Sequence, residues 1–248
     1  MNFLIVTEPD DLHAIVVTLA LQYFDHQVVN LFSADFPSQQ RNSIFIDQKE
    51  YRCKTDDDFQ TLHHAGYDVV WWRRPRLPLL KPEWVHPDDL KFQKRETTLF
   101  HENFTHQLAP GAWWVNRKEA AIRANYKLLQ LKVASEVGMT IPTTLCSNNK
   151  DDILQFFIQH QKKGVIYKPL SYQFWEQDKG YKVLYTSKIN DFKVLDEFQN
   201  HLFPGIFQEQ ILKKYELRVT CFGDYLIAAK LTTPRYHETP QDWRAMAM

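Results

Sequence analysis

The chain has few glycines, few cysteines and no long apolar run, and each shortage excludes a class of protein. Seven glycines among 248 residues fall well below the usual share of about 7 %, so glycine-rich phosphate loops are largely absent. Cys53, Cys146 and Cys221 lack metal-ligand spacing, and we expect reduced, buried or half-buried thiols of a cytoplasmic protein. No apolar run approaches the ~20 residues that span a bilayer, and we expect no signal peptide.

The chain also lacks an excess of charge of either sign. Thirty Lys and Arg residues balance thirty Asp and Glu residues, which gives no case for nucleic acid or an acidic membrane as a partner. What the chain does have is length: 248 residues can bury large cores and form two or three lobes.

Strand and helix patterns alternate through the first half of the chain. A buried strand at 3–7 is followed by a turn that offers a helix cap, a helix to about Phe24 and a strand at 28–32. This alternation predicts a parallel α/β lobe. The pattern further predicts a hairpin at 44–53, a strand at 67–72, a helix at 88–107 and a strand at 113–116.

The composition shifts after residue 116, where a helix is predicted from Lys118 to Val137 with Gly138 as its C-cap. Farther on, the pattern predicts strands at 141–146, 165–168 and 183–185, helices at 151–161 and 191–201, and a polar, aromatic loop at 171–182. Domain boundaries are expected near residues 116 and 212.

Lysines at strand and helix ends are the first candidates for chemistry. Lys168 ends the apolar strand 165–168, where its flexible stem could reach a triphosphate. Lys127 lies about forty residues earlier, at the start of a helical pattern. Taken alone, either lysine would be interpreted as a solvated surface charge.

A second group of candidates follows the apolar segment after Pro204. Glu209 ends this segment, and the backbone of Gln210 and Ile211 could contact an adenine base. Glu216 could accept hydrogen bonds from ribose hydroxyls, while Arg218, on the same strand face, approaches phosphate or substrate. The alternative for Glu216 and Arg218 is an exposed ion pair.

The first half of the chain contributes a basic group. Arg73, Arg74 and Arg76 follow a buried strand, and bidentate pairing suits them to carboxylates at the end of a parallel strand. His13, which follows the first strand, faces the same end of the predicted sheet. The alternative for the arginines is a solvated basic rim, and the alternative for His13 is a packing residue at a helix end.

These residues, in order and spacing, resemble the ATP-grasp carboxylate–amine ligases. The closest resemblance is to the microviridin-type (graspetide) branch of ribosomal peptide maturases, which carries a Trp-Trp-Arg-Arg-Pro motif like the one at 71–75. The segments that carry the resemblance are Asp11–His13, Ser33–Pro37, Val115–Asn116, Lys127, Lys168, Gln208–Ile211, Glu216–Arg218, Gly223–Asp224 and Asp242–Arg244.

The resemblance implies an ATP-grasp fold of three lobes. A pre-ATP-grasp, peptide-binding domain would span 1–116, a central lid domain 117–212, and the start of a C-terminal domain 213–248. Lys127 and Lys168 would bind phosphates, Glu209 with Gln210 and Ile211 would bind adenine, and Glu216 would bind ribose. Arg218 and Arg244 would be catalytic, with Arg244 near the γ-phosphate or the acyl phosphate.

The resemblance also implies the reaction and the partners. An Asp or Glu side chain of a ribosomally made precursor peptide would be phosphorylated by ATP, with Mg²⁺ offsetting the repulsion between anions. A Ser or Thr hydroxyl, or a Lys amine, would then capture the acyl phosphate and form an ω-ester or ω-amide ring. A cytoplasmic homodimer is expected.

Two departures from the pattern keep other functions open. The loop after Lys168 holds one glycine, at position 180, and the chain ends at Met248 without the late acidic and Asn residues that hold Mg²⁺ in the family, so the C-terminal end is expected to be truncated. One alternative is a peptide or amino-acid ligase of the glutathione-synthetase or ribosomal-protein glutamate-ligase type. The other is a non-catalytic module that binds a peptide or a nucleotide.

Overall fold

The structure is a computed structural model, and it describes residues 1–57, 61–64, 66–171, 174–177, 180–190 and 202–232. The chain divides into two compact units, Met1–Tyr126 and Lys127–Met248. This division falls ten residues beyond the boundary expected at 116, and the division into three domains stays a prediction. The helix predicted at 191–201 and the segment that contains Arg244 lie outside the described residues.

The described residues of the first unit form an α/β lobe with two sheets. Its elements, in chain order, are β1 (Asn2–Thr7), α1 (Leu12–Tyr23), β2 (Gln27–Phe32), β3 (Gln40–Ile46), β4 (Tyr51–Asp57), β5 (Thr61–His63), β6 (Val69–Trp72), α2 (Leu90–Gln107), β7 (Trp113–Val115) and α3 (Lys118–Ala124). Strands β2, β1, β6 and β7 lie in that order in one sheet, and all their pairings are parallel. The predicted parallel lobe is therefore confirmed. Strands β3, β4 and β5 form a separate antiparallel sheet.

Alternation along β1 builds the core of this unit. Leu4 and Val6 join Phe104 of α2 in one buried cluster, whereas Ile5, also buried, points to the other face of the sheet. Asp11 caps α1 by accepting a hydrogen bond from the backbone N–H of His13 at 3.1 Å. The cap and the buried face of β1 together fix where the chain turns from the sheet into the helix.

The second unit begins with a helix that the sequence pattern had joined to the preceding one. The helix predicted at 118–137 is divided at Asn125 and Tyr126 into α3 and α4 (Lys127–Glu136). Periodicity alone cannot reveal such a break, because the apolar positions continue through it. Gly138 ends α4 with a φ of +82° and with Met139 N–H bonded to the carbonyl of Ala134, which confirms the predicted C-cap.

The remaining strands that the structure describes in the second unit form three sheets. In chain order, these strands and a helix are β8 (Thr144–Ser147), α5 (Lys150–His160), β9 (Val165–Lys168), β10 (Phe174–Gln177), β11 (Gly180–Val183), β12 (Ser187–Ile189), β13 (Gly205–Glu209), β14 (Glu216–Phe222) and β15 (Tyr225–Leu231). The main sheet has the order β12-β9-β13-β8 and is antiparallel throughout. Helix α5 packs Ile153 and Phe156 against Val165 and Phe207 on one face of this sheet.

Two sequence expectations are corrected here. The segment 171–182 is not simply a loop, because β10 and β11 pair as an antiparallel hairpin within it. The predicted strand 183–185 is displaced, since β11 ends at Val183 and β12 begins at Ser187. Both errors arise because hairpin pairing depends on cross-strand contacts that a single run of residues does not display.

The cysteines are unpaired with one another, as expected. Burial raises the pKa of Cys53 to about 11, and Cys146 is half-buried. Cys221 is exposed, contrary to expectation, because it lies on the two-stranded sheet β14–β15. Among the described helices, none is long and apolar enough to cross a membrane.

Candidate functional site

A cavity of about 410 Å³ lies in the second unit and brings together the two lysines that the sequence singled out. Residues from α4, β9, β13 and the segment before β12 form its walls. They are Lys127, Gln130, Leu131, Lys168, Pro169, Ser171, Leu184, Thr186, Ile206 and Gln208. The volume falls within the range of about 300–1,000 Å³ that small-molecule sites occupy.

Strand alternation points Lys168 into this cavity. In the antiparallel pairing of β9 with β13, Lys168 lies opposite Ile206, so both side chains project from the same face of the sheet. Gln208 projects from that face as well, two residues along β13. The other face carries Phe207 and packs against α5, so the sheet separates the cavity from the core.

A chain of hydrogen bonds holds the ammonium group of Lys168. Its Nζ donates to Oε1 of Gln208 at 2.7 Å, and Nε2 of Gln208 donates to Oγ1 of Thr144 at 2.8 Å. Thr144 in turn donates to the carbonyl of Pro142 at 2.8 Å. Gln208 is only 4 % exposed, so its amide is a fixed acceptor for the lysine.

Lys127 reaches the same cavity from the first residue of α4. Its ammonium group donates a hydrogen bond to the carbonyl of Pro169, the residue that follows Lys168. The two lysines therefore meet although 41 residues separate them in sequence.

The electrostatics of the cavity favour an anion. Among the described residues that line it, two are lysines and none is acidic. Each ammonium group donates to a neutral oxygen, that of the Gln208 amide for Lys168 and that of the Pro169 carbonyl for Lys127. Leu131, Leu184 and Ile206 add apolar wall, so the site suits a ligand with a charged part and an apolar part.

The structure does not bring Glu209 to these lysines. Its side chain projects from the α5 face of β13, where Oε1 lies 2.7 Å from Nδ1 of His160 and 3.0 Å from Nζ of Lys163. The hydrogen bond from Lys163 lowers the pKa of Glu209, and His160 adds to the effect. The acceptor that sequence reasoning missed is Gln208, one residue earlier.

The backbone segment expected to contact adenine forms a hydrogen bond within the protein. The N–H of Gln210 donates to the carbonyl of Gly164 at 2.9 Å, and the side chain of Ile211 is exposed. Neither residue lines the cavity. Their assignment to adenine stays a prediction.

Glu216 and Arg218 project from the same face of β14, two residues apart, as predicted. Glu216 accepts a hydrogen bond from the ammonium group of Lys213, and Arg218 is exposed. Neither residue lines the cavity of the two lysines, so their roles also stay predictions.

The basic group of the first unit lies at the carboxyl edge of its parallel sheet, as predicted. Arg73 Nε is 3.1 Å from Oδ2 of Asp11, and Arg76 forms a two-point hydrogen-bonded pair with Glu8. Arg74 Nε lies 3.8 Å from Glu8. His13 is exposed at the second position of α1, on the same edge.

Magnesium was expected from the family resemblance. Within the described ranges, no group of three or more His, Cys, Asp or Glu side chains could hold a metal ion. Mg²⁺ in nucleotide sites is usually bound by one or two carboxylates together with the substrate phosphates, so the assignment of Mg²⁺ ligands in this chain stays a prediction.

The chain was compared with protein families, curated proteins and solved structures. No protein-family model and no curated protein matches the chain, but solved structures do. The macrocyclase MdnC from Microcystis aeruginosa MRC, bound with precursor peptide MdnA, is 27% identical with a TM-score of 0.84, and the match covers 96% of this chain and 76% of that one. The macrocyclase MdnB from the same organism is 25% identical with a TM-score of 0.80, covering 99% and 81%.

A third structure comes from Chryseobacterium gregarium. It is a RiPP-associated ATP-grasp ligase (RiPP denotes a ribosomally made, modified peptide) in complex with ADP and a leader and core peptide. It is 21% identical with a TM-score of 0.85, and the match covers 99% of this chain and 73% of that one.

The chain therefore has the ATP-grasp fold. Within that fold it is similar to macrocyclases and RiPP-associated ligases. This similarity confirms the resemblance that the sequence motifs predicted.

Proposed function

We propose that this chain is an ATP-dependent ligase that activates side-chain carboxylates of a ribosomally made precursor peptide and closes ω-ester or ω-amide rings. The observation that carries the proposal is the cavity in which Lys127 and Lys168 meet. The similarity to macrocyclases, one of them bound with its precursor peptide, supports the peptide as substrate.

The two lysines supply what a nucleotide triphosphate requires. An ammonium group at the wall of a cavity can donate charge-assisted hydrogen bonds to the oxygens of an incoming phosphate. Lys168, which donates to Gln208, and Lys127, which donates to Pro169, would bind phosphate oxygens. The positioning of both cations before the ligand arrives reduces the cost of ordering them on binding.

The chemistry needs no covalent enzyme nucleophile. A carboxylate oxygen of the peptide attacks the γ-phosphorus, the bond to the β-phosphate oxygen breaks, and ADP leaves. A peptide hydroxyl or amine then attacks the acyl carbon, its proton is released, and inorganic phosphate departs. The enzyme contributes positioning and positive charge, which are the main requirements of phosphoryl transfer.

The remaining assignments belong to this proposal. We assign adenine to Glu209, Gln210 and Ile211, ribose to Glu216, and the reacting phosphate to Arg218 and Arg244. Arg73, Arg74, Arg76 and His13 are assigned to the peptide. The cofactors are ATP and Mg²⁺.

We place the reaction in the cytoplasm, where ATP and newly made precursors are both present. A homodimer also belongs to the proposal. Exposed apolar side chains along α1, among them Leu12, Val16 and Leu19, support a partner of this kind.

Mass spectrometry tests the function directly. The protein is incubated with ATP, Mg²⁺ and a candidate precursor peptide that is rich in Asp, Glu, Ser, Thr and Lys. We expect the loss of one water from the peptide, and the release of one ADP, for each ring formed. ADP release without loss of water, or a peptide that gains mass by addition of a free amine, would contradict ring formation.

A further inference from the structure

One carboxylate, that of Glu8, lies between two arginines at the edge of the parallel sheet in the first unit. Arg76 binds it at two points, with Nε to Oε1 and with Nη2 to Oε2 at 2.9 Å, and Arg74 Nε lies 3.8 Å from Oε1. The hydrogen bond from Arg76 lowers the pKa of Glu8, and the charge of Arg74 adds to the effect. Two guanidinium groups thus converge on a single carboxylate.

The backbone around these arginines is fixed by the ends of neighbouring strands. The N–H groups of Arg73 and Arg74 both donate to the carbonyl of Val6, at 3.0 and 3.2 Å. Oγ of the buried Ser33, after β2, donates to the carbonyl of Arg76 and accepts from its N–H, each at 2.9 Å. Three parallel strands therefore hold one carboxylate site in place.

The location is one where ligands bind in open parallel sheets. In the order β2-β1-β6-β7, the chain leaves β1 toward one side of the sheet and leaves β6 toward the other. A crevice opens outside the carboxyl ends of the strands at such a change of direction. Glu8 follows β1 and the arginines follow β6, so the pair occupies this point.

The neighbouring pair of Arg73 and Asp11 has a structural role, in contrast to Arg74 and Arg76. The side chain of Asp11 is 1 % exposed, and it also caps α1, so removing it would disturb the fold. Arg74 and Arg76 are 49 % and 53 % exposed. Their guanidinium groups are open to an exogenous acid, although the charge of the exposed Asp10 opposes one. The hydrogen bond to Glu8 raises the pKa of Arg76, and the charge of Asp10 adds to the effect.

We propose that Arg74 and Arg76 form a binding site for a side-chain carboxylate of an acidic peptide, and that Glu8 occupies this site in the resting protein as an internal substitute. The incoming Asp or Glu displaces Glu8 and takes over its two-point hydrogen bonds. The proposal rests on the proposed function, which supplies an acidic peptide as the partner. It predicts that Glu8 competes with the substrate.

Replacement of Glu8 by glutamine tests this competition, because a structural role and a competing role predict opposite results. The probe is an acetylated, amidated peptide of alternating Glu and Ser, titrated calorimetrically without ATP, with a Gln-for-Glu peptide as control. We expect Glu8→Gln to bind the Glu peptide roughly 1.5- to 5-fold more tightly, since the energy of a partly exposed ion pair no longer opposes the peptide. Arg74→Gln in the same background should remove the gain.

Unchanged or weaker binding of the Glu peptide by folded Glu8→Gln protein would overturn the proposal, and so would an equal gain for the Gln peptide. If Glu8→Gln does not fold, Arg74→Gln in the otherwise unaltered chain tests the site. This variant should fold, because the 3.8 Å contact between Arg74 and Glu8 contributes little to stability. It should weaken binding of the Glu peptide alone. These titrations contain no ATP, so they test the site separately from ring formation. A gain in peptide affinity without ring formation would refute the proposed function and leave this site intact. Ring formation without a gain in peptide affinity would refute only the site.

Discussion

Replacing Lys168 with methionine removes one of the two cations of the cavity while keeping the length of the side chain. A hydrogen bond between an ammonium group and a phosphate contributes about 1.5–3 kcal/mol, so ADP should bind roughly 10- to 150-fold more weakly. The variant should still fold. The variant loses the hydrogen bond from Lys168 to Gln208. The amide oxygen of Gln208 then lacks this donor, which costs about 1 kcal/mol of stability.

Thermal or chemical unfolding with and without ADP measures both effects in one series. At an ADP concentration 100 times the dissociation constant of the unaltered chain, the ligand should stabilise that chain by about 2.7 kcal/mol. The same concentration should stabilise Lys168→Met by only about 0.3–1.4 kcal/mol.

Lys162, an exposed lysine just beyond α5, provides the matched control. Lys162→Met removes the same charge and should leave the ADP stabilisation at its original value. A folded Lys168→Met protein that gains as much from ADP as the control would refute the phosphate-binding role of the cavity.

Two further predictions concern stability. Burial alone would raise the pKa of Asp11, but Arg73 and the backbone N–H groups of His13 and Ala14 outweigh it and lower the pKa below the ordinary 3.8. The stability that Asp11 contributes is therefore present above pH 3.8 and is lost as the pH falls through the lowered value. Asp11→Asn should destabilise the fold by about 1–3 kcal/mol at pH 6 and flatten the pH dependence of urea unfolding below pH 4, and an unchanged slope would count against the ion pair. Gly205→Ala should cost about 1–3 kcal/mol, since the added Cβ would lie 2.3 Å from the ring of Tyr167; an unchanged urea midpoint would show that the ring moves aside freely.

The local pattern of the sequence was sufficient for the type of most elements. Short continuous apolar runs identified β1, β6 and β9, and the turn after β1, which offers a helix cap, identified the start of α1. These features depend on neighbours within a few residues, and local propensity and periodicity report such neighbours well. The break between α3 and α4 left no such signal.

Part of the candidate site was also predictable from local sequence features. Lys127 and Lys168 were chosen because of their positions at a helix start and a strand end, and the structure brings them to one cavity. Position at an element's end is a local property. The sequence alone therefore determined which cations were available.

Only the tertiary structure decided which face of a strand each side chain occupies. A shift of one residue in register exchanges the two faces of β13, so sequence alone could not distinguish Gln208, which faces the cavity, from Glu209, which faces α5. The same holds for Glu8 and Arg76, which are 68 residues apart and meet only because β1 and β6 are adjacent in the sheet. Local physical chemistry set the inventory of charges, and strand pairing over long sequence separations set which of them meet.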